Sequence, residues 1–354
     1  MTIFLSSDNV SKKQQMSKSI LLSDNPSQEN EYALFPLKYQ WAWDSYKIMC
    51  SNLWFPEEIS MSSDIQDWKT DKLTEEEQHM FLTVFAQLTT FDLLRTADIV
   101  QDFLPLVQAP EIVHVMTTQA FQECIHTQSY QTVIEALGLP QDDIYTRYKS
   151  VPQLSNRVAL TERLGSLDKN TSIPDVFRAL VHTYIMFEGV WFNLNLLGPV
   201  QSLARRSLMR GTAEQFQYIS RDEQSHVALG IHLLRDFIAE HPEVMDSEVI
   251  EQVIEDTKEG LRLEDEFIDY ALPRGIMGYN ALDHKLTARH YTERWLARVG
   301  IVHDFEGEHK LPWIDEVVAM KKEKNFFETR VTEYQAGQNL NFSDDPSDPF
   351  ASVM

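Results

Sequence analysis

Apolar residues recur at helical spacing through most of the chain after a polar start. In residues 73–88, LTEEEQHMFLTVFAQL, Thr74 and Glu77 have the spacing of a capping box, and the apolar positions that follow fit a helix. A second helix is predicted from Pro110 to Leu137, because proline favours the first helical turn and Gly138 can end the helix. These long periodic segments predict an all-α protein.

Four further helices are predicted downstream. They cover 174–198, 212–241, 247–272 and 279–299, and Thr212 with Gln215 is the expected cap pair of the second of these four. Long helices joined by short connections are expected to pack antiparallel as a bundle, with the other helices around it. The alternating run FFETRVTEY could form a small strand or hairpin.

The polar ends of the chain set its expected domain organisation. Residues 1–30 are rich in Ser, Asn, Asp and Gln and are predicted to be a flexible arm. Residues 331–354 are acidic and contain proline, so we expect a flexible tail with a few apolar residues at its tip. Residues 31–330 then form one helical domain.

Composition excludes several classes of function. The net charge of −23 argues against a nucleic-acid partner, and no Gly-rich dinucleotide or phosphate-loop motif is present. The two cysteines, Cys50 and Cys124, give no disulfide framework, so a reducing compartment is expected. No signal peptide and no membrane-length apolar run is apparent, and a cytoplasmic location is predicted.

Glu-x-x-His, which places two metal-binding side chains on one helix face, occurs five times in the chain. Because solvated Glu/His pairs are common in an acidic helical protein, a single copy is weak evidence of a metal site. Three copies lie in charged helix starts or a polar loop: Glu76/His79, Glu111/His114 and Glu306/His309. The other two lie in the middle of apolar helices: Glu123/His126 and Glu223/His226.

Two isolated carboxylates complete a candidate dinuclear site. Asp92 and Glu188 each stand among apolar or neutral residues, where an unpaired charge is costly to bury. Taken singly, either could be explained by a salt bridge, for example with Arg95 or Arg178. The order Asp, Glu-x-x-His, Glu, Glu-x-x-His on four helices instead favours a pair of metal ions. Four carboxylates and two imidazoles suit iron or manganese.

These residues resemble the small, radical-generating subunit of class I ribonucleotide reductase. The resemblance covers about Trp54 to Tyr334 and is carried by AFQECIHTQSY, FEGVWF, GTAEQFQYISRDEQSH and NFFETRVTEYQAGQ. It implies a ferritin-like helical bundle in which Asp92, Glu123 and His126 hold one metal and Glu188, Glu223 and His226 hold the other. It also implies O₂ as a co-substrate, a homodimer, and ribonucleotide reduction on a separate large subunit.

The resemblance assigns the radical to Tyr130. Helix geometry agrees, since Tyr130 lies four residues after His126 and seven after Glu123 on the same face. Phe192 and Ile219 match the family's apolar pocket around the radical. Radical transfer is implied to pass through Trp54, Asp222 and Tyr334, and the C-terminal tip is implied to dock on the large subunit.

Two departures from the family pattern bear on the metal and on the pocket. The chain has one extra residue between Glu188 and Glu223, which a π-bulge or a loop around Gly198 and Pro199 could absorb. The C-terminal half looks most like the manganese–iron branch, which has phenylalanine at the radical position. Tyr130 and Asp92 instead favour two iron ions.

Several alternatives stay open at this point. They are a centre of one manganese and one iron ion, a dimanganese centre, a ferritin-like oxidase, an iron-storage protein and a purely structural bundle.

Overall fold

The computed structural model describes Ile20 and residues 34–317, and within them the chain is helical with no strand. The helices are α1 Gln40–Ser51, α2 Ser62–Lys69, α3 Glu75–Asp98, α4 Pro110–Leu137, α5 Gln141–Thr146, α6 Pro152–Gly165, α7 Ile173–Val181, α8 Asn193–Ala204, α9 Arg210–Glu240, α10 Ser247–Ala271 and α11 Ala281–Arg298. Short 3₁₀ turns cover Pro56–Glu58, Leu104–Leu106, Arg147–Lys149 and Pro242–Met245, and π-helical segments cover Ile99–Phe103 and His182–Phe192.

Helices α3, α4, α7–α8 and α9 form the bundle, and the all-α prediction is confirmed. The sequence did not predict α1, α2, α5 and α6, because these helices are short and owe their formation to packing against the bundle. None of the described helices combines the length and the apolar character needed to span a bilayer.

The ends of α3 and α4 follow the sequence signals. Thr74 accepts a hydrogen bond from the backbone N–H of Glu77, whose side chain accepts from the backbone N–H of Thr74, so the predicted capping box is confirmed. Helix α4 begins at Pro110 and ends at Gly138, which adopts a left-handed conformation with φ of 67°. Both ends of α4 therefore lie where local sequence predicts them.

The predicted cap pair at the start of α9 is wrong. The backbone N–H groups of Gly211 and Thr212 instead donate to the carboxylate of Asp64 in α2, at 2.8 and 2.7 Å. The side chain of Gln215 accepts a hydrogen bond from Ser129 in α4. A carboxylate from another helix thus supplies the cap, and such a contact has no signature in the local sequence.

The predicted end of the third helix at Gly198 is also wrong. A π-helical segment, His182–Phe192, joins α7 to α8, and the chain stays helical through Gly198 and Pro199 to Ala204. The π-helical turns therefore contain Glu188 itself, and no loop forms at Gly198. The lack of a side chain at Gly198 is explained by packing, because a Cβ there would overlap the phenol of Tyr279.

Some predictions lie outside the described residues. They concern the FFETRVTEY strand or hairpin, Tyr334, the C-terminal tail and nearly all of the N-terminal arm. Ile20 alone of the arm is described: it is buried, and its backbone N–H donates to Glu240 at 3.1 Å.

Candidate metal centre

Four helical segments bring the six predicted ligands into one buried cluster. Each of these side chains is at most 1% exposed. Their ligand atoms form two overlapping groups, the first being Asp92, Glu123 and His126 and the second being Glu123, Glu188, Glu223 and His226. All six residues of this cluster were identified from the sequence. Each helical segment contributes one or two of them.

Two carboxylates lie between the two imidazoles. Glu123 places Oε2 3.1 Å from Nδ1 of His126 and Oε1 3.2 Å from Nδ1 of His226. Glu223 does the same, with Oε1 3.2 Å from Nδ1 of His126 and Oε2 3.2 Å from Nδ1 of His226. Each carboxylate can therefore reach two metal ions with one oxygen apiece, as a bridging ligand does.

The outer nitrogen of each imidazole faces a hydrogen-bond acceptor. Nε2 of His126 lies 3.4 Å from Oδ2 of Asp222, and Nε2 of His226 lies 3.0 Å from Oε1 of Gln122. An N–H at Nε2 leaves the lone pair of Nδ1 for a metal, since the outer partner fixes the tautomer. Gln122 was not singled out from the sequence, although it directly precedes Glu123.

The terminal carboxylates differ in their surroundings. Neither oxygen of Asp92 takes a hydrogen bond from the described residues. Oε1 of Glu188 accepts from Nε of Arg95 at 2.7 Å and from Nε2 of Gln119 at 2.9 Å, whereas its Oε2 has no donor. Arg95 therefore pairs with Glu188 and not with Asp92, and Arg178 forms its ion pairs with Asp175 and Asp256.

The electrostatics of the cluster fit divalent cations. Burial raises the pKa of Asp92 well above its usual range, and repulsion from Glu123 adds to the effect. Burial, followed by repulsion from Glu223 and Glu123, raises the pKa of Glu188 to about 8. One oxygen each of Glu123, Glu188 and Glu223 and both oxygens of Asp92 lack a hydrogen-bond donor. Such oxygens are the ligands that iron and manganese take, so the residues present fit a metal pair.

Tyr130 is fully buried beside the cluster. Its ring makes edge contacts with Phe85 and Phe216, at centroid distances of 6.1 and 5.8 Å. Burial first, and the charge of Asp92 second, raise the pKa of the phenol well above its ordinary value, so the group stays protonated. The sequence did not identify Phe85 or Phe216, although Phe216 lies two helical turns before Glu223.

The other two predicted pocket residues are buried as well. Phe192 packs on Phe91 and Phe187, with ring centroids 6.1 and 5.2 Å apart, and Ile219 has no exposed surface. Phe192 is therefore part of an aromatic cluster at the end of the π-helical segment.

A chain of polar contacts joins the cluster to Trp54, which the resemblance places on the radical-transfer path. Nε1 of Trp54 donates to Oδ2 of Asp222 at 2.8 Å, and the same oxygen lies 3.4 Å from Nε2 of His126. Trp54 itself is only 4% exposed. The three side chains come from separate parts of the chain and form one continuous line.

Five of the six residues in the other three Glu-x-x-His pairs contact protein groups. Glu76 pairs with Arg274, and Nε2 of His79 lies 2.8 Å from the carbonyl of Tyr270. Glu111 accepts from the backbone N–H groups of Lys38 and Tyr39, His114 contacts the carbonyl of Pro110, and His309 contacts Asp315. Among the described residues, only the two overlapping groups around Glu123 have metal-binding geometry.

Comparison with known proteins agrees with this site. Residues 31–312 match the model of the family described as "Ribonucleotide reductase, small chain". The beta subunit of ribonucleoside-diphosphate reductase from Chlamydia pneumoniae is 34% identical over 343 residues, which are 95% of this chain and 98% of the relative.

Solved structures give the same result. The R2 subunit of ribonucleotide reductase from Clostridium botulinum is 25% identical with a TM-score of 0.76, and the match covers 85% of this chain and 94% of that chain. A putative class I ribonucleotide reductase from Bacillus halodurans is 26% identical with a TM-score of 0.73, over 78% of this chain and 99% of that chain. The described bundle is therefore the ferritin-like fold that the sequence predicted.

These matches decide between the functional classes that the sequence left open. They favour an oxidoreductase subunit with a two-metal site that works with a large subunit, over an iron-storage protein or a purely structural bundle. The chain belongs to the small-chain family of ribonucleotide reductase.

Proposed function

We propose that this small subunit stores a tyrosyl radical on Tyr130, generated at a di-iron centre held by six ligands. The proposed ligands are Asp92, Glu123, His126, Glu188, Glu223 and His226. A bound pair of iron ions supplies the reduction of O₂ and the one-electron oxidation of a nearby phenol. The observation that carries the proposal is the buried phenol of Tyr130 beside Asp92, in contact with aromatic rings and closed to solvent.

The pocket suits a stored radical. On oxidation Tyr130 would give one electron to the bound metal pair and the proton of its O–H group to Asp92, the carboxylate that acts most strongly on that oxygen. The rings of Phe85 and Phe216 cover the phenol and exclude water and reductants, which would quench a phenoxyl radical. No exposed surface of Tyr130 is available to a dissolved reductant.

The radical is proposed to leave through Trp54, Asp222 and Tyr334. Trp54 and Asp222 are in hydrogen-bond contact, and Asp222 reaches His126 in the cluster. The carboxylate of Asp222 can accept the indole proton while the electron moves, so that electron transfer and proton transfer stay coupled. Tyr334 is proposed to pass the radical to the large subunit, where the ribonucleotide is reduced.

The tail, residues 331–354, is proposed to dock on the large subunit by its tip, and residues 1–30 and 31–330 to form the arm and the helical domain. Deleting residues 350–354 is expected to remove turnover with the large subunit and to leave the tyrosyl signal of the isolated subunit intact. Full turnover by the shortened chain would contradict docking through the tip.

Two iron ions are the proposed metals. Tyr130 and Asp92 occupy the positions that distinguish a tyrosyl-radical protein from the manganese–iron branch of the family. Loading the metal-free chain with Fe(II), with Mn(II), or with both before O₂ is admitted tests this choice. We expect the tyrosyl signal to need iron alone. A signal that requires manganese would favour the manganese–iron or dimanganese alternative.

A homodimer is proposed through the outer face of α3 and α4. Leu93 in α3, Val100 in the π-helical segment that follows α3, and Phe121 in α4 are 52, 51 and 48% exposed, and exposed apolar side chains of this kind suit contact with a second copy of the chain. Replacing Leu93 with Glu is expected to lower the molar mass measured by light scattering from two chains to one.

The decisive test of the radical assignment is the change Tyr130→Phe. The variant is expected to bind metal as the parent does and to lack the tyrosyl signal in electron paramagnetic resonance after exposure to O₂. Tyr279→Phe is the matched control, because Tyr279 is equally buried but contacts His284 away from the cluster. A tyrosyl signal that survives Tyr130→Phe would overturn the assignment.

A further inference from the structure

Two asparagines donate side-chain hydrogen bonds to the backbone of the π-helical segment that carries Glu188. Nδ2 of Asn193 donates to the carbonyl of Glu188 at 2.9 Å, and Nδ2 of Asn195 donates to the carbonyl of Trp191 at 2.8 Å. π-Helical turns depart from the regular bonding of an α-helix, and a buried carbonyl without a donor costs free energy. The two amides therefore stabilise the wide turns around Glu188.

A third carbonyl of the segment takes its donor from another helix. Nε1 of Trp295 in α11 donates to the carbonyl of Gly189 at 3.1 Å. The indole lies so close that a Cβ on Gly189 would be 2.9 Å from Cδ1 of Trp295. The carbonyls of Glu188, Gly189 and Trp191 thus all accept from side chains, which shows that the π-helical turns depend on the groups packed around them.

The other end of the Asn193 amide reaches a second ligand-bearing helix. Oδ1 of Asn193 accepts from Nε2 of Gln224 in α9 at 2.9 Å. Gln224 directly follows Glu223, whose carboxylate lies between the two imidazoles. Asn193 is buried, so water cannot readily replace either partner. One amide therefore joins the backbone of Glu188 to the residue next to Glu223.

The backbone turn at Glu188 decides where its free oxygen lies. Arg95 and Gln119 donate to Oε1, whereas Oε2 has no donor and lies 3.8 Å from Nδ1 of His226. The direction of a helical side chain follows the rotation of its backbone. A return of these turns to regular α-helical geometry would therefore turn Oε2 of Glu188 away from the cluster.

We propose that Asn193 is a positioning residue, whose amide holds the π-helical turn at Glu188 and ties it to α9, so that the free oxygen of Glu188 faces the metal cluster. The inference rests on the proposed metal pair. Asn193 acts through the backbone of Glu188 and not as a ligand, because both ends of its amide are already bonded.

The test is an anaerobic titration of the metal-free chain with Co(II), whose visible absorption reports the number and arrangement of its ligands. Asn193→Leu keeps the approximate size of the side chain but cannot donate to the carbonyl of Glu188. We expect Co(II) binding to weaken by at least about tenfold. The visible spectrum of the bound ion should also change, because Glu188 is displaced.

Gln201→Leu is the matched control. Gln201 is another buried amide of α8: its Nε2 donates to the carbonyl of Ala213 in α9 at 2.8 Å, and its Oε1 accepts from Gln217 in α9 at 3.1 Å. It thus has the same two kinds of partner as Asn193. Gln201→Leu should lower the free energy of unfolding of the metal-free chain about as much as Asn193→Leu does, and should leave the affinity and the spectrum of Co(II) unchanged.

Gln224→Leu tests the link to α9. It removes the donor that orients the Asn193 amide, and it should weaken Co(II) binding by at least about threefold. This effect should disappear in a chain that already carries Asn193→Leu, because both changes break the same contact. Gln224 is only partly buried, so this variant serves if Asn193→Leu does not fold.

An unchanged Co(II) affinity and spectrum in Asn193→Leu would overturn the inference, as would an unchanged Gln224→Leu if the Asn193 variant does not fold. An equal loss in Gln201→Leu would also overturn it, because the loss would then come from destabilising α8. A parent chain that binds no Co(II), Mn(II) or Fe(II) would instead remove the proposed metal pair itself.

Discussion

Trp54 and Asp222 lie 168 positions apart in the sequence and share a hydrogen bond of 2.8 Å. The indole N–H donates to Oδ2, and both side chains are at most 4% exposed. Burying the carboxylate of Asp222 costs free energy unless both the indole and the imidazole form hydrogen bonds with it. The contact joins Trp54 to the metal cluster, because the same oxygen of Asp222 lies 3.4 Å from Nε2 of His126.

Removing the indole should separate radical storage from turnover. Trp54→Phe keeps an apolar ring but cannot donate to Asp222 or be oxidised at a comparable potential. We expect the variant to form the tyrosyl signal and to lose at least about a hundredfold in turnover with the large subunit, equivalent to about 3 kcal/mol. Trp43→Phe is the control, since Trp43 packs on Tyr46 and His114, with ring centroids 5.1 and 5.9 Å apart. Undiminished turnover by Trp54→Phe would argue against the proposed path.

Metal binding should depend on the Glu223/His226 pair and not on the Glu76/His79 pair. Glu223→Gln keeps the size of the side chain but removes the charge of a carboxylate that reaches both imidazoles. It is expected to lose at least one equivalent of bound Fe(II) in anaerobic equilibrium dialysis. Glu76→Gln changes the same motif where the carboxylate pairs with Arg274, and it should bind metal as the parent does. If both variants lost the same amount of bound Fe(II), the loss would come from the lower negative charge of the chain and not from the removal of a ligand, and the prediction would be wrong.

Because Gly230 is closely packed, adding a methyl group there should destabilise the fold. A Cβ on Gly230 would overlap the ring of Tyr184, which donates to Gln119 behind the cluster. Gly230→Ala is expected to lower the free energy of unfolding by about 1–3 kcal/mol, because α9 and the π-helical segment must separate. In Gly138→Ala nothing lies within 4 Å of the new Cβ, so its cost is the backbone strain of a φ of 67°, about 1–2 kcal/mol. Denaturant unfolding measures both, and movement of Tyr184 should also be visible as weakened metal binding in Gly230→Ala alone.

Stability should fall in mild acid through His182. Burial, with the charges of Arg163 and Arg95 adding to it, lowers the pKa of His182 from 6.5 to about 3. Below pH 6.5 the unfolded chain therefore takes up a proton that the folded chain does not, and the free energy of unfolding decreases by up to about 1.4 kcal/mol per pH unit until pH approaches 3.

The matched variant is His182→Gln, which keeps a polar partner for Thr161. The difference in unfolding free energy between the metal-free parent and this variant should shift by about 1 kcal/mol between pH 7.5 and 5.5. A difference that is independent of pH would show that the pKa of His182 is the same in the folded and the unfolded chain, which contradicts the prediction.

Local sequence determined much of the metal centre. The spacing of Glu123, His126 and Tyr130 fixes their common face, because a helix turns once every 3.6 residues whatever surrounds it. The apolar context of Asp92 and Glu188 was enough to select both carboxylates, because an isolated charge in an apolar helix needs a partner. The capping box at Thr74 and the helix stop at Gly138 are local as well, and both were predicted correctly.

Only the tertiary structure decided how separate segments meet. It pairs Arg95 with Glu188 instead of Asp92, places Asp64 at the start of α9, and keeps the chain helical through Gly198 and Pro199. These features depend on which helices pack together and at what angle, and a one-dimensional period contains no such information. The helix period determines which residues share a face, whereas packing between faces determines the partner of each charge.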